Sequence, residues 1–467
     1  MSDQVAEKKK SRFDRSLIEG PIGPAVWKLA WPTMLQNVIA GLQGVVDHVL
    51  VGHLVGYAGN AAIGVSWQIF LVVIVFMASL FSGQAVLVAR YVGAGDDDKV
   101  NRTVQQAFLT AVAMYAVMAP IGYFLSPSLL NLVNASSEVR ELAMPFLRIN
   151  FTFSIGMLLF FMLTSALRAA GDARTPLRLG VTMTVLNVVL NLILIPGLGP
   201  IPAMGTAGSA LGTVIASSTV SAYALYQLFK GRLVIHFTRH MEWKPDWVII
   251  RQLFSFGLPT GVQGIAMNVA GVLMLRFIGS LQQSAAAQAA FAIGYTELFS
   301  LITWTSVGLM GAAATIAGQN LGAGQPERAI QGVHTASRIG LAVAAGVGLV
   351  FVIFPEALLG AFGATEAAVA TIGEQLLQYL ALSGFFITLA LTYTGGLQGT
   401  GDTRSPLFIT LLSQIAVPIG MCTMIQASRQ LEPGDIWLAI VLGHFTRCVL
   451  SVARFRQGKW RHITVAH

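Results

Sequence analysis

The sequence predicts an all-α polytopic membrane protein: twelve transmembrane helices in two six-helix pseudo-symmetric lobes. Three observations carry that prediction. Of 467 residues, 55% are hydrophobic and only 11% charged, with a mean hydropathy of +0.69, whereas a soluble domain carries about a quarter charged residues. The apolar residues gather into runs of the length that crosses a bilayer as a helix. The motifs of the first half also return, in the same order, in the second.

The chain opens on a polar stretch in which the basic run Lys8 to Lys10 is followed by Arg12 and Arg15. Residues 1–24 therefore read as a tail, with no cleavable signal peptide. Six apolar spans follow, at roughly 25–51, 61–90, 104–126, 141–168, 177–197 and 205–229. A polar connection at 230–247 is the only long one in the interior. Six more spans run at roughly 249–279, 286–317, 329–354, 368–398, 406–428 and 435–454. The lobes are then 25–229 and 248–454, and 455–467 forms a second tail. Several spans exceed twenty residues, so tilt or protrusion is expected.

Basic residues orient the chain. Arg140, Arg148, Arg276 and Arg429 fall in odd-numbered connections; the rest, about 25 of 29, fall in even-numbered connections and the tails, including Lys230, Arg232, Arg239 and Lys244. Both termini are thus expected on the cytoplasmic face of the inner (plasma) membrane. The same distribution explains the formal charge of +8 without a nucleic-acid partner. Cys422 and Cys448 lie in apolar runs and need neither a disulfide nor a metal.

The repeat is exact enough to set a register. Trp31-Pro32-Thr33 returns as Leu258-Pro259-Thr260, the run VARYVGAG at 88–95 as AGQNLGAG at 317–324, and LRAAGDARTPL at 167–177 as LQGTGDTRSPL at 397–407. The offsets are 227, 229 and 230 residues. Parallel repeats of this kind are a transporter architecture, with cargo handled between the halves. The same register shows where the halves differ: Asp47 matches Met274, Gln68 matches Glu297, and Asn187 and Asn191 match Val417 and Met421. Each half keeps one membrane carboxylate at a different place, Asp47 in the first and Glu297 in the second.

Asp47 is the centre of the reading. An ionisable group at membrane depth costs several kcal/mol unless it faces a cavity or a partner, so it marks function. Gln36, Gln43 and Asp47 share one face of span 1, where Gly41 and Gly44 let neighbours approach and Pro32 offers a bend. Asn187 and Asn191 lie one turn apart on span 5 and can converge on Asp47. A carboxylate with amide oxygens suits a transient sodium ion. An acid at this depth can equally load a proton outside and release it inside. Interhelical hydrogen bonding is the plainer role for the asparagines.

In the second half, Glu297 has Tyr295 beside it and Trp304 seven residues on, an arrangement suited to a lipophilic cation; a buried pairing with an amide is the alternative. Met267 and Met274 offer a soft wall to cargo, or simple packing. The paired GDxR[ST]P turns place Asp172 with Arg174 and Asp402 with Arg404, first as structural turns and second as parts of a gate. Pro176 and Pro406 open the helices that follow. His48 and His53 flank Asp47 without a ligand set, so no metal site is expected.

VDHVLVGHLVG after a first-helix proline, the VGAG and GQNLGAG loops, the two GDxR[ST]P turns and the run LNVVLNLILIPGLGPIPAMGTAGSALGT together resemble the multidrug and toxic compound extrusion (MATE) family over essentially the whole chain. The resemblance implies a twelve-helix antiporter that exports organic, often cationic, compounds in exchange for protons or sodium ions. It implies that Asp47 is the first-helix acid of ion or proton binding. In one branch a span-5 Asn and Asp join that acid with a span-6 hydroxyl; Asn187 fits, Ser209 would supply the hydroxyl, and Asn191 departs from the Asp. Another branch has acids where this chain has Met267 and Ile387. Glu297 resembles a span-8 Glu of many bacterial members.

The expected site is therefore Asp47, Asn187, Asn191 and Ser209 for the ion, and Gln43, Gln68, Met267, Tyr295, Glu297 and Trp304 for cargo, with Pro32 and the two turns as moving parts. No P-loop and no hydrolase constellation is present, so neither an enzyme nor a cofactor is expected. The expected partners are small organic substrates, H⁺ or Na⁺ and the bilayer, with the chain a monomer. The rival readings are a lipid-linked oligosaccharide flippase, for which basic residues should line the cavity, and a receptor or scaffold, for which both carboxylates would be superfluous.

Overall fold

The computed structural model describes residues 13–133, 135–237, 241–363 and 366–465. Lys8 to Lys10, Arg12 and Arg239 lie outside the described residues. Twelve long helices follow the twelve apolar runs: α1 (Ile22–Leu54), α2 (Tyr57–Ala94), α3 (Asp97–Leu132), α4 (Ser137–Phe153 with Ile155–Ala169), α5 (Arg174–Leu194), α6 (Gly205–Phe229), α7 (Trp247–Gly279), α8 (Ser284–Gly322), α9 (Pro326–Ile353), α10 (Ala367–Gly399), α11 (Arg404–Ser428) and α12 (Pro433–Arg456). Ten of these, with the bent α4 as an eleventh, are long and apolar enough to cross a membrane. The twelfth, α6, is uncharged and 25 residues long, and its Gly, Ser and Thr content keeps its hydropathy low.

At 1.5 Å per residue, α1 and α2, with 33 and 38 residues, extend to about 50 Å or more, well beyond the roughly 30 Å of bilayer hydrocarbon. Their ends stand outside the membrane or the helices tilt. Val185, Val189 and Leu192 of α5 and Val269 and Val272 of α7 are exposed, as side chains that meet lipid tails rather than water should be.

Where the backbone leaves the α-helix, its polar groups find partners. α4 bends by 54° at Ser154. Near the break the Thr152 carbonyl accepts from the Tyr115 hydroxyl, and the Gly156 carbonyl accepts from Ser221 Oγ at 2.6 Å. A side chain at Gly156 would strike α6 at Ser218, so this glycine sets the approach. Two π-helical turns, Ala292–Leu298 in α8 and Leu411–Ala416 in α11, both belong to the second lobe. The second precedes Pro418, which cannot donate to the carbonyl of Gln414, and the wider turn relieves the clash of its ring.

The repeat extends to backbone conformation. Gly171 and Gly401 adopt φ of +94° and +96°, and Gly95 and Gly324 both adopt +74°, the left-handed region that favours glycine. Asp172 Oδ1 then accepts from the Thr175 N–H at 3.0 Å, and Asp402 Oδ1 from the Ser405 N–H at 3.2 Å, capping α5 and α11.

The polar connection between the lobes is pinned along α3: Gln106 Nε2 donates to the Lys244 carbonyl at 3.0 Å, and Gln106 Oε1 accepts from the Asp246 N–H at 2.8 Å. The segment that follows α12 is equally tied down. Trp460 is fully buried, stacks on Phe455 at 5.0 Å and donates to its carbonyl at 2.8 Å.

The two lobes meet tightly at the end where α1 begins, α12 ends and most of the described basic residues gather, here the basic end. Gly83 of α2 lies against the Leu253 carbonyl of α7, Gly93 of α2 against the Gln319 carbonyl of α8, and Gly322 of α8 against the Arg90 carbonyl of α2; any side chain at these glycines would collide. Gln319 Nε2 crosses to the Ala169 carbonyl at 2.8 Å, and Thr33 Oγ1 to the Gly308 carbonyl at 2.9 Å.

Candidate functional site

Asp47 turns inward, into the first lobe. Asn191 of α5 donates from Nδ2 to Asp47 Oδ1 at 2.8 Å. With the Asn187 amide oriented so that both its ends are satisfied, its nitrogen donates to the same oxygen at 3.1 Å and its oxygen accepts from Thr213 Oγ1 at 3.0 Å. Thr184, one turn before, donates to Gln43 Oε1 at 2.8 Å. The spacing 184, 187, 191 puts three polar groups of α5 on the face turned to α1, as helical periodicity requires. Both asparagines are wholly buried and Asp47 is half-buried.

Two details of this cluster were not legible beforehand. The α6 hydroxyl that meets Asn187 belongs to Thr213; Ser209, expected to supply it, instead offers its carbonyl to Thr213 Oγ1 at 3.2 Å. Gly212 lies directly against Asn191 Oδ1, where a side chain would collide. That oxygen has no hydrogen-bond partner. A buried carbonyl oxygen beside a carboxylate is the donor chemistry of a hard cation site.

Between the lobes at the basic end lies a cavity of about 210 Å³. Its lining pairs residues through the repeat: Thr33 with Thr260, Ser82 with Gly311, Ala85 with Ala314, Val86 with Thr315, and Arg168 with Gln398. The cavity therefore straddles the pseudo-twofold axis, and hydroxyls and amides dominate its polar wall. No carboxylate lines it. Its one charged group, Arg168, rests Nη1 on Gln36 Oε1 at 3.2 Å.

In the second lobe Tyr295 and Glu297 both ride on the π-turn of α8. Tyr295 stacks on Phe291 at 4.8 Å, and Phe291 stacks on Trp437 of α12 at 6.0 Å, an aromatic row drawn from two helices around Tyr295. Glu297 is half-buried. Met267 of α7 faces α12, where its Sδ lies 3.8 Å from Arg447 Nη1. Trp304 reaches the other lobe and covers Gly41 of α1, whereas Gly44 has no neighbour within 4 Å. Gln68 is exposed on α2 and joins none of these groups by a hydrogen bond.

The remaining expectations sort by position. Pro32 is buried within a continuous α1 next to the cavity residue Thr33. Asp402 pairs with Arg454 of α12 at 2.8 Å and not with Arg404, because the turn aims its carboxylate at the end of α12. Asp172 caps its own turn and forms no ion pair among the described residues. His48 bonds Asn60 at 2.6 Å. The reading of Arg as confined to the connections needs correction: Arg447 is buried inside α12, and Arg168 sits in α4 beside the cavity. A basic residue seven places before the end of span 12 was the signal that the tally by connections passed over.

A family model described as MatE matches residues 32–193 and again 259–423, two stretches that begin on the repeated prolines Pro32 and Pro259. The chain is 27% identical over 434 residues to a protein of Thermotoga maritima named "Probable multidrug resistance protein NorM", covering 93% of this chain and 92% of that one. It is 26% identical over 455 residues to "Multidrug resistance protein PmpM" of Pseudomonas aeruginosa, covering 93% and 91%. A solved structure described as the outward-facing conformation of a multidrug resistance MATE family transporter superposes with a TM-score of 0.88 at 20% identity, over 96% of this chain and 98% of that one.

Proposed function

Because the chain belongs to the MatE family, we propose that it is a cation-coupled antiporter, driven by H⁺ or Na⁺, that exports small organic compounds by alternating access. The observation that carries the reading is Asp47: a carboxylate at membrane depth, inside the first lobe, held by two amides of α5. Its second oxygen is left for a proton or a cation. Asn191 Oδ1, buried and unpartnered, becomes a further oxygen ligand when that amide rotates by half a turn. Organic cations are the cargo the family resemblance implies, with Glu297 as their carboxylate.

The positive-inside rule places the basic end in the cytoplasm, so this structure is closed inward. The chain then sits in the plasma membrane with both termini cytoplasmic, as a monomer. The cycle runs as follows. Cargo enters the interlobe space from the cytoplasm, the lobes rock, and H⁺ or Na⁺ reaches Asp47 from outside. Binding at Asp47 alters the packing of α1 on α5, and α1 bends at Pro32, where a backbone hydrogen bond is missing. Each charge entering down a 100 mV potential supplies about 2.3 kcal/mol. The ion drives export only by preferring the conformation that releases cargo.

The test is ethidium efflux from proteoliposomes under an imposed pH or sodium gradient. The wild type should respond to one of them and Asp47→Asn to neither. Full gradient-driven efflux by Asp47→Asn would end the proposal.

A further inference from the structure

We infer that the second lobe carries a binding site for a negatively charged group of an organic cargo, with Arg447 as its anchor. This rests on the exporter reading above, and gives the lobe that carries Glu297 an anchor for an anionic group as well. Arg447 lies within α12 and is only 3% exposed. Its Nη1 meets nothing better than the Met267 thioether at 3.8 Å, and its Nε has no hydrogen-bond partner. No carboxylate pairs with it among the described residues. A guanidinium buried without a counter-charge costs several kcal/mol, a cost that an anionic ligand offsets.

The side chains around Arg447 are held in place. His444, one turn before Arg447 and buried, binds Ser383 of α10 through Nδ1 at 2.5 Å and stacks on Phe299 at 5.9 Å, so its ring is fixed by α8 and α10. Both π-turns flank the same region. One carries Tyr295, whose ring lies 5.4 Å from that of Phe299; the other presents the Ser413 carbonyl to Gly443 of α12. Single π-turns inside long helices are frequent at functional sites, and the first lobe has none among its described residues. Met267, which lies against the guanidinium, is half-buried, and its unbranched thioether is a side chain that adapts. The guanidinium fork suits a carboxylate, which takes two parallel hydrogen bonds from it. In the central cavity, too, the charged group is an arginine, Arg168, with no acid beside it.

The experiment measures equilibrium binding of two dyes to the full chain in phosphatidylcholine nanodiscs by fluorescence anisotropy, with no ion gradient. Carboxyfluorescein is the organic anion and ethidium the cation. The wild type binds carboxyfluorescein; Arg447→Gln weakens it about tenfold or more, the loss of a charge-assisted pair, with ethidium binding unchanged. Arg447→Lys, which keeps the charge but not the bidentate fork, weakens carboxyfluorescein binding less than Arg447→Gln does and guards against a folding defect. The inference is overturned if the wild type does not bind carboxyfluorescein, if Arg447→Gln binds it as the wild type does, or if both dyes are lost together. It is also overturned if phosphatidylglycerol in the nanodisc displaces carboxyfluorescein, which would mark a lipid site. Because no gradient is applied, failure here is separate from failure of Asp47-dependent efflux.

Discussion

Asn191 Nδ2 donates to Asp47 Oδ1 at 2.8 Å, the shorter of the two hydrogen bonds by which wholly buried amides of α5 hold the carboxylate of α1. That contact makes the packing of α1 on α5 depend on what Asp47 binds. Asn191→Leu keeps the count and branching of the side-chain heavy atoms and removes both the donor and the unpartnered oxygen. Gradient-driven efflux should fall about tenfold or more, while the thermal midpoint in detergent falls only modestly, because one membrane hydrogen bond is worth about 1 kcal/mol. Efflux at the wild-type rate would mean that the amide only packs.

Gly212 and Gly44 give a matched pair. A methyl at position 212 would strike Asn191 Oδ1, whereas position 44 has no neighbour within 4 Å. Gly212→Ala should displace the amide and depress efflux severalfold. Gly44→Ala should leave it unchanged and, by restoring a better helix former, raise stability by up to about 1 kcal/mol. Comparing initial efflux rates of the two variants at equal expression checks the contrast.

The sequence made the twelve spans, the repeat and the pairing of Asp47 with Asn187 and Asn191 legible, because each is local: apolar length, a constant offset, and one turn of helix. The π-turn of α8 was not, since nothing in AIGYTEL distinguishes a widened turn from an ordinary one. The choice of Thr213 over Ser209 depends on the rotation of α6 about its axis, which Gly208 and Gly212 permit and periodicity alone does not set. Arg447 was overlooked for a different reason. Counting Lys and Arg by connection folds a mid-helix arginine into the nearest loop, and only asking what each ionisable residue meets in the membrane recovers it.

The two turns that repeat in sequence differ in what they hold. Asp402 is 6% exposed and binds Arg454 through Nε at 2.9 Å and Nη2 at 2.8 Å. Asp172 has its turn's N–H at 3.0 Å and no arginine. Asp402→Asn should therefore lower the thermal midpoint more than Asp172→Asn, since it leaves a half-buried guanidinium without its carboxylate, a loss of about 2 to 3 kcal/mol against about 1 for a cap. Equal shifts in a differential scanning experiment would mean that Arg454 finds another acceptor.

Thr33 Oγ1 lies 2.9 Å from the Gly308 carbonyl, joining α1 of the first lobe to α8 of the second at the closed basic end. The hydroxyl also lies within reach of the Leu29 and Ala30 carbonyls of its own helix, so Thr33→Val leaves α1 intact and removes a link that exists only when this end is shut. Losing about 1 kcal/mol from that state shifts the ratio of closed to open forms roughly fivefold. Spin labels at Asp98 and Gln325, both exposed at the basic end, should report a larger fraction of long distances in Thr33→Val than in the wild type. Thr335→Val, at an exposed hydroxyl that bonds only its own helix, should leave the distribution unchanged. An identical response in the two variants would show that the hydroxyl serves α1 alone, and that closure of this end rests on the glycine contacts between α2, α7 and α8.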